Sequence, residues 1–178
     1  MKSHYSEAPA ARRDSRHTLA VIVDNEPGVL ARIAGLFSGR GYNIESLTVS
    51  ETEHERHLSR ITIVTSGDDA EITQIMAQLD RLVPVHRVDD LTASGPVVER
   101  ELALVKVTGR GEHRVEALRL AQAFGARTLD ATISSFVFEY TGAIDEVDRF
   151  IAVMAETGVV EAARTGVAAM SRGPGQTG

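Results

Sequence analysis

The sequence predicts an α+β protein built from two similar units in tandem. Segments with alternating apolar residues are typical of strands, and segments with apolar residues three and four apart are typical of helices. They follow one another in the order β-α-β-β-α-β over residues 17–92, and the same order returns over residues 102–170. This is the order of the ferredoxin-like unit, an antiparallel four-stranded sheet with two helices on one face.

The first predicted strand and helix are separated by a change of periodicity at Pro27. In residues 17–23 the apolar side chains alternate, as in a half-buried strand. After Pro27 the apolar residues take helical spacing and form one stripe, consisting of Leu30, Ile33, Ala34 and Phe37. Gly39 and Gly41 are predicted to end this helix, because glycine tolerates the positive φ of a helix C-terminus.

The rest of the first unit is predicted to be a hairpin, a second helix and a last strand. These elements are the strands 43–51 and 57–65 with a charged loop 52–56 between them, a helix around residues 72–79, and the strand 83–91. Asp68 offers N-cap chemistry for the second helix. Pro84 favours an edge or first-residue position for the last strand.

The second unit follows a stretch with the composition of a linker, Thr92-Ala93-Ser94-Gly95-Pro96. Its predicted elements are a strand 102–108, a helix around 117–124, a hairpin of strands 127–133 and 135–140, a helix around 147–154 and a final strand region 159–170. The predicted organisation is therefore a disordered tail 1–16, a first domain 17–93, a second domain 94–171 and a disordered tail 172–178.

The composition excludes several classes of function. A net charge of −6 argues against a nucleic-acid backbone as partner, since phosphate binding needs clustered Lys and Arg. The absence of cysteine excludes disulfides, thiolate nucleophiles and Cys-ligated metals. The histidines show no metal-ligand spacing, and the His-containing segment 53–57 is expected to be a solvated loop. No apolar run has the length of a signal peptide core or a membrane span, so a cytoplasmic location is expected.

The turn before the first helix has the chemistry of a ligand-binding turn. Pro27 suits the first helical position, where the helix presents unpaired N–H groups that bind a carboxylate without a cationic side chain. Gly28 leaves the backbone open to close approach, and Asn25 offers a helix cap or a carbonyl for an ammonium group. A free amino acid carries both charged groups. The residues expected to face its side chain are Val29, Leu30 and Ile44. Similar turns without a ligand are common, so spacing alone leaves that alternative open.

This turn, Asp24-Asn25-Glu26-Pro27-Gly28-Val29-Leu30, resembles the signature turn of ACT domains, ferredoxin-like modules that bind amino acids in metabolic control. The longer run from Val23 to Ser50, which includes Gly41-Tyr42-Asn43-Ile44, closely resembles the small regulatory subunits of acetolactate synthase. Three further segments match the same family, namely Leu58-Ser59-Arg60-Ile61-Thr62-Ile63, Val98-Glu99-Arg100-Glu101-Leu102 and Arg164-Thr165-Gly166. The resemblance covers residues 17–172.

The resemblance implies a site and a quaternary arrangement, because members of this family form homodimers through their ACT sheets and bind valine at the interface. The implied site residues are Asn25, Gly28, Val29 and Leu30 of one protomer and Asn43 and Ile44 of the other. The backbone amides of residues 28–30 would hold the valine carboxylate, and the two asparagines would help to hold its ammonium group.

The resemblance also implies a partner, a separate catalytic subunit that this chain would activate and make sensitive to valine in branched-chain amino acid biosynthesis. This chain is expected to be non-catalytic and to bind no cofactor or metal. Thiamine diphosphate, magnesium and FAD are expected on the catalytic subunit. The equivalent turn of the second unit, residues 108–113, lacks Asn-x-Pro-Gly. The first unit is therefore expected to sense, and the second to pack, dimerise or contact the catalytic subunit.

Three alternatives belong to other classes of function. An acylphosphatase-like enzyme would need a phosphate loop with an arginine, which the sequence does not display. An RNA-binding sheet needs exposed aromatic residues and basic surroundings, and the aromatic content of 4% and the acidic charge oppose it. An ACT-type sensor of a different metabolic enzyme is the closest alternative, and the match through the second half favours the acetolactate synthase subunit.

Overall fold

Two β-α-β-β-α-β units follow one another along the chain, as the sequence predicts. The computed structural model describes residues 15–53, 55 and 57–174. In chain order the elements are β1 Ser15–Asp24, α1 Val29–Arg40, β2 Ser46–Glu53, β3 Leu58–Gly67, α2 Asp69–Leu79, β4 Val85–Asp90, β5 Val97–Thr108, α3 Glu112–Phe124, β6 Arg127–Ala131, β7 Ser135–Gly142, α4 Ile144–Ala155, β8 Val159–Arg164 and β9 Ala168–Ser171.

Each unit is an antiparallel sheet with two helices packed on one face. The N-terminal sheet has the strand order β2-β3-β1-β4, and the C-terminal sheet has the order β6-β7-β5-β8, with β9 paired to β5. Apolar side chains between sheet and helices form a separate core in each unit. The largest fully buried members are Phe37, Leu19, Ile33, Ile61, Ile63, Ile75 and Leu79 in the first core, and Phe138, Phe150 and Met154 in the second.

The buried stripe of α1 differs from the predicted one. Val29, Ile33 and Phe37 are buried, whereas Leu30 is 43% exposed and Ala34 is also exposed. The helix begins at Val29, and side chains four residues apart from that start share one face. Val29 therefore takes the place in the core that the sequence pattern assigned to Leu30.

Several strand limits differ from the predicted ones. β1 starts at Ser15, inside the predicted tail 1–16, because Ser15 and Arg16 pair with the end of β3. β2 covers Ser46–Glu53 instead of 43–51, and β4 covers Val85–Asp90 instead of 83–91. Residues 1–14, 54, 56 and 175–178 lie outside the described residues, so the predictions made for them stay predictions.

β5 begins at Val97, well before the predicted start at Leu102, and it pairs with three strands, β7, β8 and β9. Residues 97–100 pair with β9, and residues 101–108 pair with β7. The predicted final strand region is two strands, because Gly166 turns the chain between β8 and β9 with a φ of +80°. Residues 97–100 and β9 therefore form a two-stranded ribbon, called the ribbon below.

The ribbon covers the face of the N-terminal sheet that lies opposite the helices. A third apolar cluster forms beneath it, consisting of Ala20, Val64, Leu91, Ile144, Val167 and Ala169. As a result, every residue of β1 from Leu19 to Val23 is buried. The alternation of apolar residues in β1 predicted a half-buried strand, because it indicates only the face that packs on the helices. The ribbon residues that cover the other face lie more than 70 positions away in the sequence.

The predicted linker 92–96 is a fixed turn. One carboxylate oxygen of Asp90 accepts hydrogen bonds from the amides of Thr92 at 2.9 Å and Ala93 at 3.1 Å. The other lies 2.7 Å from His17 Nδ1, and His17 Nε2 lies 2.8 Å from Ser15 Oγ. His17 and Asp90 are both buried, so this chain of hydrogen bonds ties the turn to the start of β1.

Arg16 joins the two units through carboxylates on each side. Its Nε donates to Glu45 at 2.9 Å, and its Nη1 donates to Asp145 of α4 at 2.7 Å. Although partial burial lowers the pKa of Arg16, the two carboxylates raise it on balance, because they favour the charged guanidinium. The contact fixes the N-terminal end of α4 against the segment that leads into β2.

Arg164 at the end of β8 makes a second ionic contact, next to the ribbon. Its Nε donates to Glu101 at 2.9 Å, and its Nη1 donates to Asp148 of α4 at 2.7 Å. The Glu101 side chain is only 3% exposed, so this guanidinium compensates a buried carboxylate. Hydrogen bonding to Glu101 raises the pKa of Arg164, and Asp148 adds to the effect.

Candidate amino-acid binding site

The turn between β1 and α1 is held in place from both sides of the sheet. The Asp24 amide donates to Pro84 O, next to β4, at 2.9 Å, and the Asn25 amide donates to His57 O, next to β3, at 2.7 Å. Gly28 ends the turn with a φ of +91°, a conformation that favours glycine. These backbone hydrogen bonds fix the backbone that leads into the helix, and the Asp24 carboxylate adds a side-chain contact with His86 Nε2 at 2.6 Å.

The N-terminus of α1 has free hydrogen-bonding capacity. No side chain caps it, and its first turn contains no acidic residue. The Val29 amide lies at 3.5 Å from Glu26 O, the limit of a hydrogen bond, and the helical ladder begins with Arg32 N donating to Gly28 O at 3.0 Å. Asn25 does not act as the cap that the sequence allowed. The first amides of α1 are thus available to an anion.

α2 provides a contrast within the same unit. The Asp68 carboxylate accepts from the amides of Ala70 at 3.0 Å and Glu71 at 2.9 Å, and the Glu71 carboxylate accepts from the Asp68 amide at 3.1 Å. Asp68 is the N-cap that the sequence predicts, and with Glu71 it forms a capping box that satisfies the first amides of α2 internally. Of the two helices, α1 is the one whose N-terminus is left open to a ligand.

The predicted side-chain contacts of the ligand need one correction. Val29 is 4% exposed and lies in the first core, so its side chain does not face the turn and only its amide remains available. Leu30 is 43% exposed and lies next to the free amides. A Cβ placed on Gly28 would have no atom within 4 Å, so the space in front of the turn is open.

The second predicted part of the site precedes β2. Asn43 is exposed, and its backbone carbonyl accepts from Thr65 Oγ1 at 2.6 Å. Ile44 packs partly against the first core, and the next amide, that of Glu45, donates to Val64 O at 2.8 Å. The segment is therefore held against β3, with the Asn43 side chain directed away from it into solvent.

The structure does not bring the two parts together within one chain. Ser46 pairs with Val64, and Val64 pairs with Thr18, so the Asn43–Ile44 segment lies near the beginning of β1. The turn follows Asp24, six strand positions further on, which corresponds to about 20 Å at the usual strand rise. The two half-sites lie at opposite ends of one sheet.

The second unit repeats part of this arrangement. α3 also follows a glycine of positive φ, Gly111 at +59°, and it has no side-chain cap. Arg114 of its first turns stacks over the ring of Phe136 at 3.9 Å. In place of Asn-x-Pro-Gly this turn carries an arginine between two glycines, so only the uncapped helix is shared with the first unit.

Among the described residues, no group of His, Asp and Glu side chains has the arrangement of a metal site. Sequence reasoning missed the polar residues between the two units, Arg16, Glu101 and Arg164. No sequence signal identifies their partners, because the paired residues are 16 to 129 positions apart.

The tandem ferredoxin-like units and the uncapped glycine turn define a protein of the ACT class. Residues 19–87 match the family described as the AHAS small subunit-like ACT domain, and residues 100–173 match that described as the small subunit of acetolactate synthase. The chain belongs to the family of acetolactate synthase small subunits. It is thus a non-catalytic subunit, and membership of this family implies a catalytic subunit as partner.

Relatives and a solved structure agree with this assignment. The chain is 49% identical to the probable acetolactate synthase small subunit of Archaeoglobus fulgidus over 89% of this chain and 98% of that protein. It is 44% identical to the isozyme 3 small subunit of Escherichia coli over 89% and 96% of the two chains. The crystal structure of the small subunit from Thermotoga maritima superposes with a TM-score of 0.77 at 39% identity, over 89% and 98% of the two chains. In the described part of this chain, no helix has the length and apolar character needed to cross a membrane.

Proposed function

We propose that this chain is the valine-sensing regulatory subunit of a cytoplasmic acetolactate synthase. It activates a catalytic subunit that carries thiamine diphosphate, magnesium and FAD, and it makes that subunit subject to feedback inhibition by valine. The chain itself contributes no catalytic group. Its contribution is a binding site whose occupancy changes the state of the complex.

The observation that carries this proposal is the separation of the two half-sites on one sheet. β2 is an edge strand of the N-terminal sheet and runs antiparallel to β3. If the β2 strands of two chains pair antiparallel, the start of one strand lies beside the end of the other. The end of β2 neighbours the beginning of β3 and the turn after β1. Such a dimer places Asn43 and Ile44 of one protomer beside Asn25 and Gly28 of its partner.

The chemistry of this composite site fits a small apolar amino acid. The open amides at the start of α1 attract the carboxylate, and the carbonyl oxygens of Asn25 and Asn43 accept hydrogen bonds from the ammonium group. Leu30 and Ile44 offer an apolar surface of modest size. A ligand of about eight heavy atoms then binds in the micromolar to millimolar range, which suits feedback on a metabolite pool.

Inhibition requires valine to bind one state of the complex more tightly than the other, because equal affinity for both states shifts nothing. A site shared between two chains provides this difference directly. It is complete only when the N-terminal sheets are paired in one register, so valine stabilises that arrangement of the dimer.

The test is Gly28→Asp, measured by titration calorimetry with L-valine and by activity after reconstitution with the catalytic subunit. An added Cβ meets no atom within 4 Å, and the φ of +91° adds strain of about 1 kcal/mol, so the variant is expected to fold with its carboxylate in the anion position. We expect loss of the heat of valine binding and of valine inhibition, with activation of the catalytic subunit retained.

The matched control is Gly111→Asp at the equivalent turn of the second unit, where φ is also positive and the space is also open. Valine binding and inhibition should be retained in this variant, and D-valine should give no heat with either protein. Valine inhibition of the Gly28→Asp complex at the wild-type level would refute the assignment of the site.

A further inference from the structure

The half-site before β2, which consists of Asn43 and Ile44, is held in place by contacts within its own unit. The carbonyl of Asn43 accepts from Thr65 Oγ1 at 2.6 Å, and the Glu45 amide donates to a carbonyl of β3 at 2.8 Å. The Glu45 side chain adds a third contact, because one of its carboxylate oxygens accepts from Ser66 Oγ. All three partners belong to β3, so the half-site keeps its position on the N-terminal sheet without help from the second unit.

The two residues that follow the half-site are also joined to the second unit. The other carboxylate oxygen of Glu45 accepts from Arg16 Nε at 2.9 Å, and Arg16 Nη1 donates to Asp145 in the first turn of α4 at 2.7 Å. Ser46 Oγ accepts from the Val167 amide, in the turn that leads into the ribbon, at 3.1 Å. A displacement of the half-site is therefore felt by α4 and by the start of the ribbon.

The ionic contact continues from α4 into the second sheet. Asp148 lies three residues after Asp145, and its Oδ2 is 4.0 Å from Arg16 Nη2. The Oδ1 of the same carboxylate accepts from Arg164 Nη1 at 2.7 Å, and Arg164 pairs with the buried carboxylate of Glu101 on β5. A chain of alternating charges thus leads from the half-site to an inner strand of the second sheet.

The two units enclose a cavity beside these ion pairs. Its volume is about 340 Å³, and its lining includes Arg16, Glu45, Asp148 and Arg164. The side chains of Glu45, Asp148 and Asp145 are 27%, 44% and 81% exposed, so the contact is partly solvated. Since protein interiors are otherwise close-packed, a small movement of α4 relative to β2 at this point alters ion pairs before it disturbs packed side chains.

We infer that Arg16 is a positioning residue that couples valine binding at the half-site to the second unit. The inference rests on the proposed function, because it requires valine to contact Asn43 and Ile44. Valine bound there fixes the position of the adjoining Glu45, and Arg16 passes this constraint to α4. Partly exposed ion pairs are individually weak, so together they suit the lower end of the usual range of allosteric coupling, about fivefold in affinity.

Arg16→Gln is the variant that breaks this connection. Without the guanidinium, the carboxylates of Glu45, Asp145 and Asp148 face one another as like charges, which separates α4 from the segment before β2. The contacts of the half-site with β3 do not involve Arg16. The variant should therefore bind valine as the wild type does while its second unit no longer responds.

The experiment is hydrogen–deuterium exchange of the full chain with and without saturating L-valine, read by mass spectrometry, together with titration calorimetry. In the wild type we expect valine to slow exchange in the peptides that cover residues 144–151 of α4, because it fixes the segment to which α4 is bonded. In Arg16→Gln this slowing should fall about fivefold, in line with the coupling that is lost. The Kd for valine and the slowing of exchange in residues 25–46 should stay close to those of the wild type.

The matched control is Arg127→Gln, which removes a guanidinium from the exposed pair with Glu139 in the second sheet. Exchange in α4 should respond to valine in this variant as it does in the wild type. Valine binding without a response of α4 in the wild type, or an equal response in the wild type and Arg16→Gln, would overturn the inference and leave the proposed function intact. An equal loss of response in both variants would also overturn it. Absence of valine binding to the wild type would refute the proposed function and the inference together.

Discussion

The two sheets have the same topology but different surroundings. The N-terminal sheet is covered on both faces, by its helices and by the ribbon, whereas no described residue covers the second face of the C-terminal sheet. On that open face Leu104 is 36% exposed and lies next to Lys106 and Val137. The second unit therefore supplies the cover for one face of the N-terminal sheet. The N-terminal unit thus depends for stability on contacts that the second unit provides.

Among the variants that test this dependence, Gly166→Ala is expected to cause the largest loss of stability. A Cβ at this position would lie 2.5 Å from Thr48 Oγ1 and 3.0 Å from Ser46 Oγ, at a φ of +80°. Overpacking and backbone strain together are expected to lower the free energy of unfolding by about 4 kcal/mol. Urea denaturation of the two purified proteins measures the difference.

The control for Gly166→Ala is Gly125→Ala, because Gly125 has a similar φ of +72° and its added Cβ would meet nothing within 4 Å. Strain alone should cost about 1 kcal/mol there. Equal losses in the two variants would mean that the close approach of β2 and the β8–β9 turn does not contribute to stability.

Arg164→Met tests the ionic contact next to the ribbon. It leaves the Glu101 carboxylate, 3% exposed, without its guanidinium, and a buried charge that loses its partner is expected to cost about 3 kcal/mol. The double variant Glu101→Met, Arg164→Met should regain most of this loss, as measured by denaturant unfolding.

In the second sheet, the exposed pair of Arg127 and Glu139, with Arg127 69% exposed, provides the control. Arg127→Met should cost less than about 1 kcal/mol, and a loss as large as that of Arg164→Met would contradict the comparison.

Val167→Ala and Val137→Ala compare the covered face of the first sheet with the open face of the second, and both are expected to lower stability less than Gly166→Ala and Arg164→Met. Val167 is 1% exposed in the cluster beneath the ribbon, and its truncation is expected to cost about 1.5 kcal/mol, measured as a shift of the urea midpoint. Val137→Ala, on the open face of the second sheet, should cost clearly less, since its side chain is only partly buried. Similar costs for the two truncations would indicate that the ribbon adds little burial.

Much of the candidate site follows from the sequence, because its chemistry is local. Pro27 and Gly28 set the turn, and the absence of an acidic residue in the first turn leaves the helix amides open. The assignment of Val29 to the ligand side chain was wrong, because the helix begins at Val29 and not at Pro27, and Val29 shares the buried face of Ile33 and Phe37. The pairing of Asn25 with Asn43 across two protomers remains a prediction, since it depends on a second chain.

The order of elements, the two cores and the family follow from the sequence, because periodicity, capping residues and motifs are encoded within a few neighbouring positions. The tertiary structure was needed to show that β1 is buried on both faces, that β5 pairs with three strands, and that the final region turns back at Gly166. These features result from contacts between residues far apart in the chain. A local pattern indicates which face of a strand is apolar, but it does not indicate what will cover the other face.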